Sequence, residues 1–516
     1  MQNESDIAGA DTWMNKPLLK HRKLMNSLMC FLAVTFLCLA LPSFVFSESY
    51  HFAGEGQMPT CTEDGYRVIE DQGNIWMEVI PASGHQFGEW IWNDDGTART
   101  HTCQVCGYSE TIRVSSVHES TFPRLDLYGS MEGIGKKTRV ALDATYQDAE
   151  QSFSCYGLLT LQGHSTFGLP KKNYTIRFYD TPDGNKKHSV NFRTWKKEHK
   201  YILKANYADL SVSRNLVAAR IWTSVVASRA SVPAPLMKLP TLGAVDGFPI
   251  TVYLNGQFHG LYTLNLHKDD DLFQMKDGKR EALVICNAQT TDESLFRAPA
   301  AFLEDYSSDW EIEYCGTDDE SWAKESFNDL ITFIMESSDD DFKGHLQDYM
   351  DLDAAMDYLL FIYAMGLENS GAKDLVMLNY GSTWIPSAYD MEEAFGLDDR
   401  LAVYIPPEDF LPIYSDGQWS SGTGSLLWDR LLNAFHDELL LRYYELRSGP
   451  FSESSMLTIF QEYIAQIPDG YYDQDFYLYP DRPIPDLNMS QQIEQYILQR
   501  MPLLDHALEG SGNDEK

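Results

Sequence analysis

Three carboxylates crowd the stretch SAYDMEEAFGLDD, residues 387–399, in which an apolar run is followed by an acidic turn, an aromatic residue and a glycine. They belong to Asp390, Glu392 and Glu393. Magnesium binds oxygen ligands and commonly takes one or two carboxylates together with substrate phosphates. The stretch is therefore either a solvated acidic loop or a cation site at the end of a strand. With no cation bound, mutual repulsion predicts that neutralising Asp390 leaves the stability unchanged or slightly raised.

The preceding loop, LENSGAKD, places Asn369 and Asp374 five residues apart, between an apolar helix and two predicted strands. Protein kinases share this order of elements: a helix, a catalytic loop with an aspartate and an asparagine at this spacing, a hairpin, and an aspartate that binds Mg²⁺. Here the two loop residue types are exchanged. Asn369 cannot accept a proton, although its neighbour Glu368 can, and we predict these two as the catalytic residues. The predicted ligands of Mg²⁺ or Mn²⁺ are Asp390, Glu392 and Asp374.

Local patterns predict the elements that position these residues. Asn255-Gly256 between two apolar strands is typical of a type I′ hairpin. Residues 351–366 carry apolar side chains at helical spacing, and another helix is predicted after a cap at Asp209 or Ser211. Strands dominate the first part of this region and amphipathic helices dominate its C-terminal part. The pattern is typical of a two-lobed α+β domain.

Four motifs stand in the order in which the CotH kinase family has them. They are QGHSTFGLPKKNYTIRF, YILKANYADLSVSRN, VYLNGQFHGLYTL and DMEEAFG. Over residues 117–508 the chain resembles this family, the spore coat protein H group of atypical protein kinases. The resemblance implies a divergent bilobal protein-kinase-like fold with a strand-rich N-lobe and a helical C-lobe. It also implies phosphorylation of serine on coat proteins, dependent on ATP and Mg²⁺.

The resemblance further implies roles for individual residues. Lys171 or Lys172 would neutralise ATP phosphates, and the alternative is a solvated lysine pair at the start of a strand. Arg214 and Asn215 match an arginine–asparagine pair of the family, in which the arginine either clamps phosphate or forms a structural salt bridge. These four are the predicted cofactor-binding residues. Asp390 matches the first aspartate of the family's W-D-x-D motif, which supports its role as a metal ligand.

Residues 55–113 predict a small, separate, β-rich module, which resembles the cysteine-rich repeats of bacterial surface proteins. Cys61, His101, Cys103 and Cys106 have the residue types of a tetrahedral zinc site. Such repeats usually carry a further C-x-x-C, which this chain lacks. The alternative is that Cys103 and Cys106 are reduced or disulfide-bonded and hold a turn.

The N-terminal segment 1–47 predicts export. Its basic stretch, KPLLKHRK, precedes an apolar run at 27–46, and Ser47 is a small residue suited to a cleavage site. The segment is either a cleaved signal peptide or an uncleaved membrane anchor. In both cases the rest of the chain is expected to be secreted or on the extracellular surface, with membrane contact only through this segment.

Charge excludes one class of partner. The 516-residue chain carries 76 acidic and 40 basic side chains, a formal charge of −36. This excess repels phosphate backbones, so nucleic acid is not an expected partner.

Two candidate functions remain. The first is a secreted or surface-anchored protein kinase that transfers the γ-phosphoryl group of ATP to serine or threonine of an exported or surface protein. The alternative is a catalytically inactive relative that serves as a surface binding or structural module.

Overall fold

The chain forms two compact units, one built from Met1–Trp92 with Arg99–Thr111 and the other from Asn93–Ala98 with Ile112–Lys516. Their elements come from a computed structural model, which describes residues 51–52, 60–61, 65–71, 74–80, 86, 88, 91–92, 98–113, 121–163, 168–286, 291–302, 309–398, 403–483 and 489–510. The predicted signal peptide or anchor at 1–47 lies outside these ranges. Among the helices within them, none has the length and hydropathy needed to cross a bilayer.

Two small sheets account for the strands of the N-terminal part. The first contains β1 (His51–Phe52), β2 (Gly65–Asp71) and β3 (Asn74–Ile80), in that order. The second contains β4 (Ile91–Trp92), β5 (Ala98–Thr102) and β6 (Ser109–Arg113), also in chain order. All of these strands except β1 lie within residues 55–113, for which the sequence predicts a β-rich module.

A closed seven-stranded barrel opens the second unit, with the strand order β10-β11-β13-β12-β7-β8-β9. Its strands are β7 (Arg124–Tyr128), β8 (Val140–Gln147), β9 (Ser152–Gln162), β10 (Asn173–Tyr179), β11 (Lys200–Lys204), β12 (Gly247–Leu254) and β13 (Gln257–Leu266). Neighbours are antiparallel except β7 and β12, which run parallel. Asn255 and Gly256 have φ angles of 52° and 79° between β12 and β13, which confirms the type I′ hairpin.

A four-stranded sheet and a set of helices follow the barrel. The sheet has the order β15-β14-β16-β17, with β14 (Ala282–Cys286), β15 (Trp310–Cys315), β16 (Leu375–Asn379) and β17 (Trp384–Ala388). Two short pairs are β18 (Leu397–Asp398) with β19 (Val403–Tyr404), and β20 (Ile413–Ser415) with β21 (Gln418–Ser420).

Ten α-helices lie within the described ranges. They are α1 (Arg214–Ala227), α2 (Asp270–Phe273), α3 (Ser321–Glu336), α4 (Asp339–His345), α5 (Leu352–Met365), α6 (Leu426–Ala434), α7 (His436–Arg447), α8 (Glu453–Ile464), α9 (Asp469–Leu478) and α10 (Met489–Glu509). Helix α5 confirms the prediction for 351–366, because the Asp351 side chain caps its start and Gly366 ends it at a φ of 71°.

Separate apolar cores support the barrel and the helices. Leu125, Ile176 and Leu264 belong to the barrel core, whereas Trp222, Phe361 and Trp428 belong to the core that the helices share. The α+β class is confirmed, because the second unit contains both strands and helices. Barrel closure was not predicted from the sequence.

The last residue of β11 lies close to the turn that follows β17. This turn carries the acidic stretch that the sequence singles out.

Candidate functional site

Lys204, the last residue of β11, is the centre of the candidate site. Its side chain is only 10% exposed, and its ammonium group forms an ion pair with Asp390 and lies 3.1 Å from Glu392 Oε2. A cation removed from water in this way requires compensating negative charge. The two carboxylates supply it, so Lys204 joins the barrel to the acidic stretch. No motif in the sequence marks this lysine as a site residue.

The lysine changes the expected electrostatics of Asp390. Burial alone would raise the pKa of Asp390, but the attraction of Lys204 outweighs it and the pKa lies below its ordinary value. Asp390 is therefore ionised and stabilised at neutral pH before any cation binds. The ion pair with Lys204 therefore argues against the prediction that neutralising Asp390 leaves the unliganded protein equally or more stable, because attraction to the lysine opposes the repulsion among the acids.

Asp374 is the second carboxylate at this end of the β16–β17 hairpin. It immediately precedes β16, and its N–H donates a 2.9 Å hydrogen bond to the carbonyl of Cys286. Burial and, after it, repulsion from Asp390 raise its pKa to about 7. Asp374 and Asp390 both have left-handed backbones, with φ angles of 56° and 50°. Such conformations cost energy in residues other than glycine and concentrate at functional sites.

The raised pKa of Asp374 predicts a pH dependence. The folded protein keeps this proton up to about pH 7, whereas the unfolded chain loses it near 3.8, the ordinary value. Between these two values the native state binds more protons, so the contribution of Asp374 makes stability fall as pH rises. We expect the melting temperature of Asp374→Asn, relative to wild type, to rise by several degrees between pH 4 and pH 8.

Thermal unfolding at pH 4, 6 and 8 measures this shift. Asp416→Asn is a matched control, because Asp416 is exposed and has a similar φ of 52°. A constant difference between Asp374→Asn and wild type at all three pH values would contradict the assignment.

The three predicted metal ligands are not gathered around one point. Among the described residues, Asp374, Asp390 and Glu392 do not form a group whose ligand atoms all lie within 4.8 Å of one another. Lys204 holds two of them instead. Because Mg²⁺ commonly uses only one or two protein carboxylates, Asp374 and Asp390 are sufficient as a donor set.

The predicted catalytic loop contacts the acidic stretch through Asn369. Its Nδ2 donates a 2.5 Å hydrogen bond to Glu393 Oε2. Glu368, the neighbouring predicted catalytic residue, is exposed. The structure thus brings Asn369 and Glu393 together beside Asp374 and Asp390, but it gives Glu368 no comparable contact with them among the hydrogen bonds of the described residues.

Arg214 and Asn215, at the start of α1, hold the backbone of the acidic stretch. Arg214 is fully buried, and its Nη1 donates hydrogen bonds of 2.7 Å and 3.0 Å to the carbonyls of Ala394 and Phe395. The Asn215 side-chain oxygen accepts a 3.2 Å hydrogen bond from the N–H of Met391. These contacts favour the structural alternative for the arginine–asparagine pair, since both side chains position the turn that carries Asp390.

The backbone at Gly396, just after the carboxylates, requires a glycine. Its φ is +75°, and a Cβ there would lie 2.5 Å from both the carbonyl oxygen of Ile405 and the ring of Tyr496. Any side chain would therefore displace the turn.

Two cavities adjoin Lys204 and its partners. One of about 440 Å³ is lined by Lys204, Asn215 and Asp390, among others. The other, of about 480 Å³, is lined by Glu392, Asn206 and Lys171, among others.

A family model described as CotH kinase protein matches residues 159–504. This range contains the buried lysine and the aspartate with which it pairs, at the end of a strand. The chain belongs to the CotH kinase family. The match covers more than half of the chain and includes the hairpin, the loop and the acidic stretch. No match was found among the curated proteins.

Within the CotH domain, Lys171 is committed to an internal ion pair. Its ammonium group is fully buried, 2.9 Å from Asp475 Oδ2 and 2.5 Å from the carbonyl of Leu261. Burial lowers its pKa to about 8. Arg482 also pairs with Asp475, so these contacts tie α9 to the barrel. Lys172 is half-buried. Lys204, rather than Lys171, carries the ammonium group paired with Asp390.

In the first unit, three of the four predicted zinc ligands come together. The Sγ atoms of Cys61, Cys103 and Cys106 all lie within 4.8 Å of one another, and none of the three forms a disulfide. His101 lies on β5, but its side chain is outside what the structure describes.

Proposed function

We propose that this CotH-family chain is an exported protein kinase that transfers the γ-phosphoryl group of ATP to serine or threonine of an exported or surface protein. The observation that carries the proposal is the ion pair between Lys204 and Asp390, next to Asp374 and two cavities. Export rests on the sequence of segment 1–47 alone.

The donor set fits a nucleotide-bound Mg²⁺ or Mn²⁺. Asp374 and Asp390 offer carboxylate oxygens, and the raised pKa of Asp374 reflects burial and negative potential that a cation would relieve. Asp390 is the first metal ligand and Asp374 the second in this proposal. When bound, the ion supplies charge neutralisation on the phosphate oxygens.

The protein's own groups perform the remaining tasks. Lys204 offers a buried cation for the phosphates, where electrostatic interactions are stronger than in water. Arg214 and Asn215 fix the backbone that carries Asp390. Asn369 orients the Glu393 carboxylate through its 2.5 Å hydrogen bond, which places a proton acceptor at the predicted catalytic loop. A loose phosphoryl-transfer transition state demands little of a base, so Asn369 in the usual aspartate position is compatible with catalysis.

The proposal is tested by incubating the purified full chain with ATP labelled at the γ-phosphate, Mg²⁺ or Mn²⁺ and exported proteins as acceptors. Label is expected on serine or threonine of an acceptor or of the chain itself, dependent on the divalent cation. ATP labelled only at the α-phosphate is the control and should give no labelled protein. Absence of transfer with every acceptor and with either cation would contradict the proposal and favour a binding or structural module.

A further inference from the structure

The sulfur geometry of the first unit is that of a metal site. Cys61 Sγ and Cys103 Sγ are 3.8 Å apart. Two sulfurs bound to one tetrahedral zinc at about 2.3 Å each lie about 3.8 Å from one another. A disulfide requires about 2.05 Å, and three thiols cannot all pair with each other. The spacing therefore matches shared coordination of one ion.

The local backbone holds two of these sulfurs in a tight turn. The N–H of Gly107 donates a 2.9 Å hydrogen bond to the carbonyl of Cys103, and Gly107 has a φ of 75°. The N–H of Gln86, from a distant part of the sequence, donates to Cys103 Sγ at 3.3 Å. A donor aimed at sulfur stabilises a thiolate, which is the form that binds metal. Cys103 is only 1% exposed, so this sulfur is already withdrawn from solvent.

The placement of the cysteines also suits a structural metal. Cys61 lies between β1 and β2, whereas Cys103 and Cys106 lie between β5 and β6. An ion held by all three would connect the segments of the two small sheets. Small folds commonly depend on a metal or on disulfides for stability.

We propose that Cys61, Cys103 and Cys106 bind one Zn²⁺ as thiolates in a structural site, separate from the kinase site and independent of the proposed activity. Three Zn–S bonds form, and the three thiol protons pass to solvent. Tetrahedral zinc takes one further ligand beside these three thiolates.

Metal analysis of the purified full chain under reducing conditions tests the site. One zinc per chain is expected, with loss of that zinc in Cys103→Ser and in Cys61→Ser. Cys155→Ser and Cys315→Ser are matched controls that should retain it, because neither cysteine belongs to the cluster. Wild-type protein with well under one zinc, or Cys103→Ser with undiminished zinc, would overturn the proposal.

Two further measurements test whether zinc loss reflects global unfolding and whether the thiolates bind the metal. The thermal transition of the CotH domain in Cys103→Ser should match that of wild type, which shows that zinc loss does not reflect global unfolding. Replacing the zinc by Co²⁺ should give the intense visible absorption of a tetrahedral thiolate complex in wild type and not in Cys103→Ser. A disulfide among the three cysteines in freshly purified protein, or no cobalt spectrum in wild type, would also overturn the proposal.

Discussion

Replacing Asp390 by asparagine should lower the rate of phosphoryl transfer from ATP by about 10²-fold or more, since a metal ligand supplies several kcal/mol of charge stabilisation. Asparagine keeps the shape of the side chain and suits the left-handed backbone at this position, where φ is 50°. The measurement is the initial rate of γ-phosphoryl transfer at saturating ATP and Mg²⁺. A rate within threefold of wild type would contradict the role of Asp390.

The same substitution should also destabilise the protein without ligand. It removes the charge-assisted contact between Asp390 and Lys204, while Glu392 still lies 3.1 Å from the ammonium group. We expect a loss of about 1 to 2 kcal/mol in the free energy of unfolding. Urea unfolding measures it, with Asp416→Asn as the control at a similar backbone conformation. Equal or greater stability of Asp390→Asn would restore the repulsion hypothesis.

Replacing Lys204 by methionine should impair both stability and activity. Methionine fills a similar volume but leaves two carboxylates without the cation that holds them, which we expect to cost about 2 to 3 kcal/mol at neutral pH. The cost should shrink as pH falls toward the ordinary range of a carboxyl group, because without the lysine burial raises the pKa of Asp390 and favours its uncharged form. Phosphoryl transfer should fall by about 10²-fold or more, because Lys204 is the buried cation proposed to contact phosphate.

Lys200→Met is the matched control for this lysine. Lys200 begins the same strand and lies 3.4 Å from Asp269, but its side chain is 25% exposed. Its replacement should cost less than about 1 kcal/mol.

The double variant of Lys204→Met with Asp390→Asn tests whether the two side chains interact. Its loss of unfolding free energy should be smaller than the sum of the losses in the two single variants. Strict additivity would show that the two side chains do not interact.

Local signals in the sequence predicted local structure well. The Asn255-Gly256 turn and the helix that ends at Gly366 each depend on residues within a few positions, so their patterns were sufficient. The acidic stretch was also found from residue types alone, and the structure places Asp390 next to a buried cation and within the electrostatic reach of Asp374.

The remaining features depend on distant partners. Lys204 lies 186 residues from Asp390, and in an apolar strand its sequence context gives no hint of an ion pair. Lys171 meets Asp475 across 304 residues, and Arg214 meets the carbonyl of Ala394 across 180. Barrel closure likewise requires β7 to pair in parallel with β12, and these two strands are far apart in the sequence. Hydrophobic periodicity is a local pattern and does not indicate which distant residues pair.

The proposed function requires that the cleft at Lys204 and Asp390 bind a nucleotide together with a divalent cation. Calorimetric titration of ATP into the purified full chain, with and without Mg²⁺, measures this binding. We expect saturable binding that requires Mg²⁺ or Mn²⁺, and an affinity at least about tenfold weaker in Asp390→Asn, a difference of about 1.4 kcal/mol or more. Equal affinity in the two proteins would rule out Asp390 as a ligand of the nucleotide-bound cation, and no binding to wild type with either cation would rule out a kinase function.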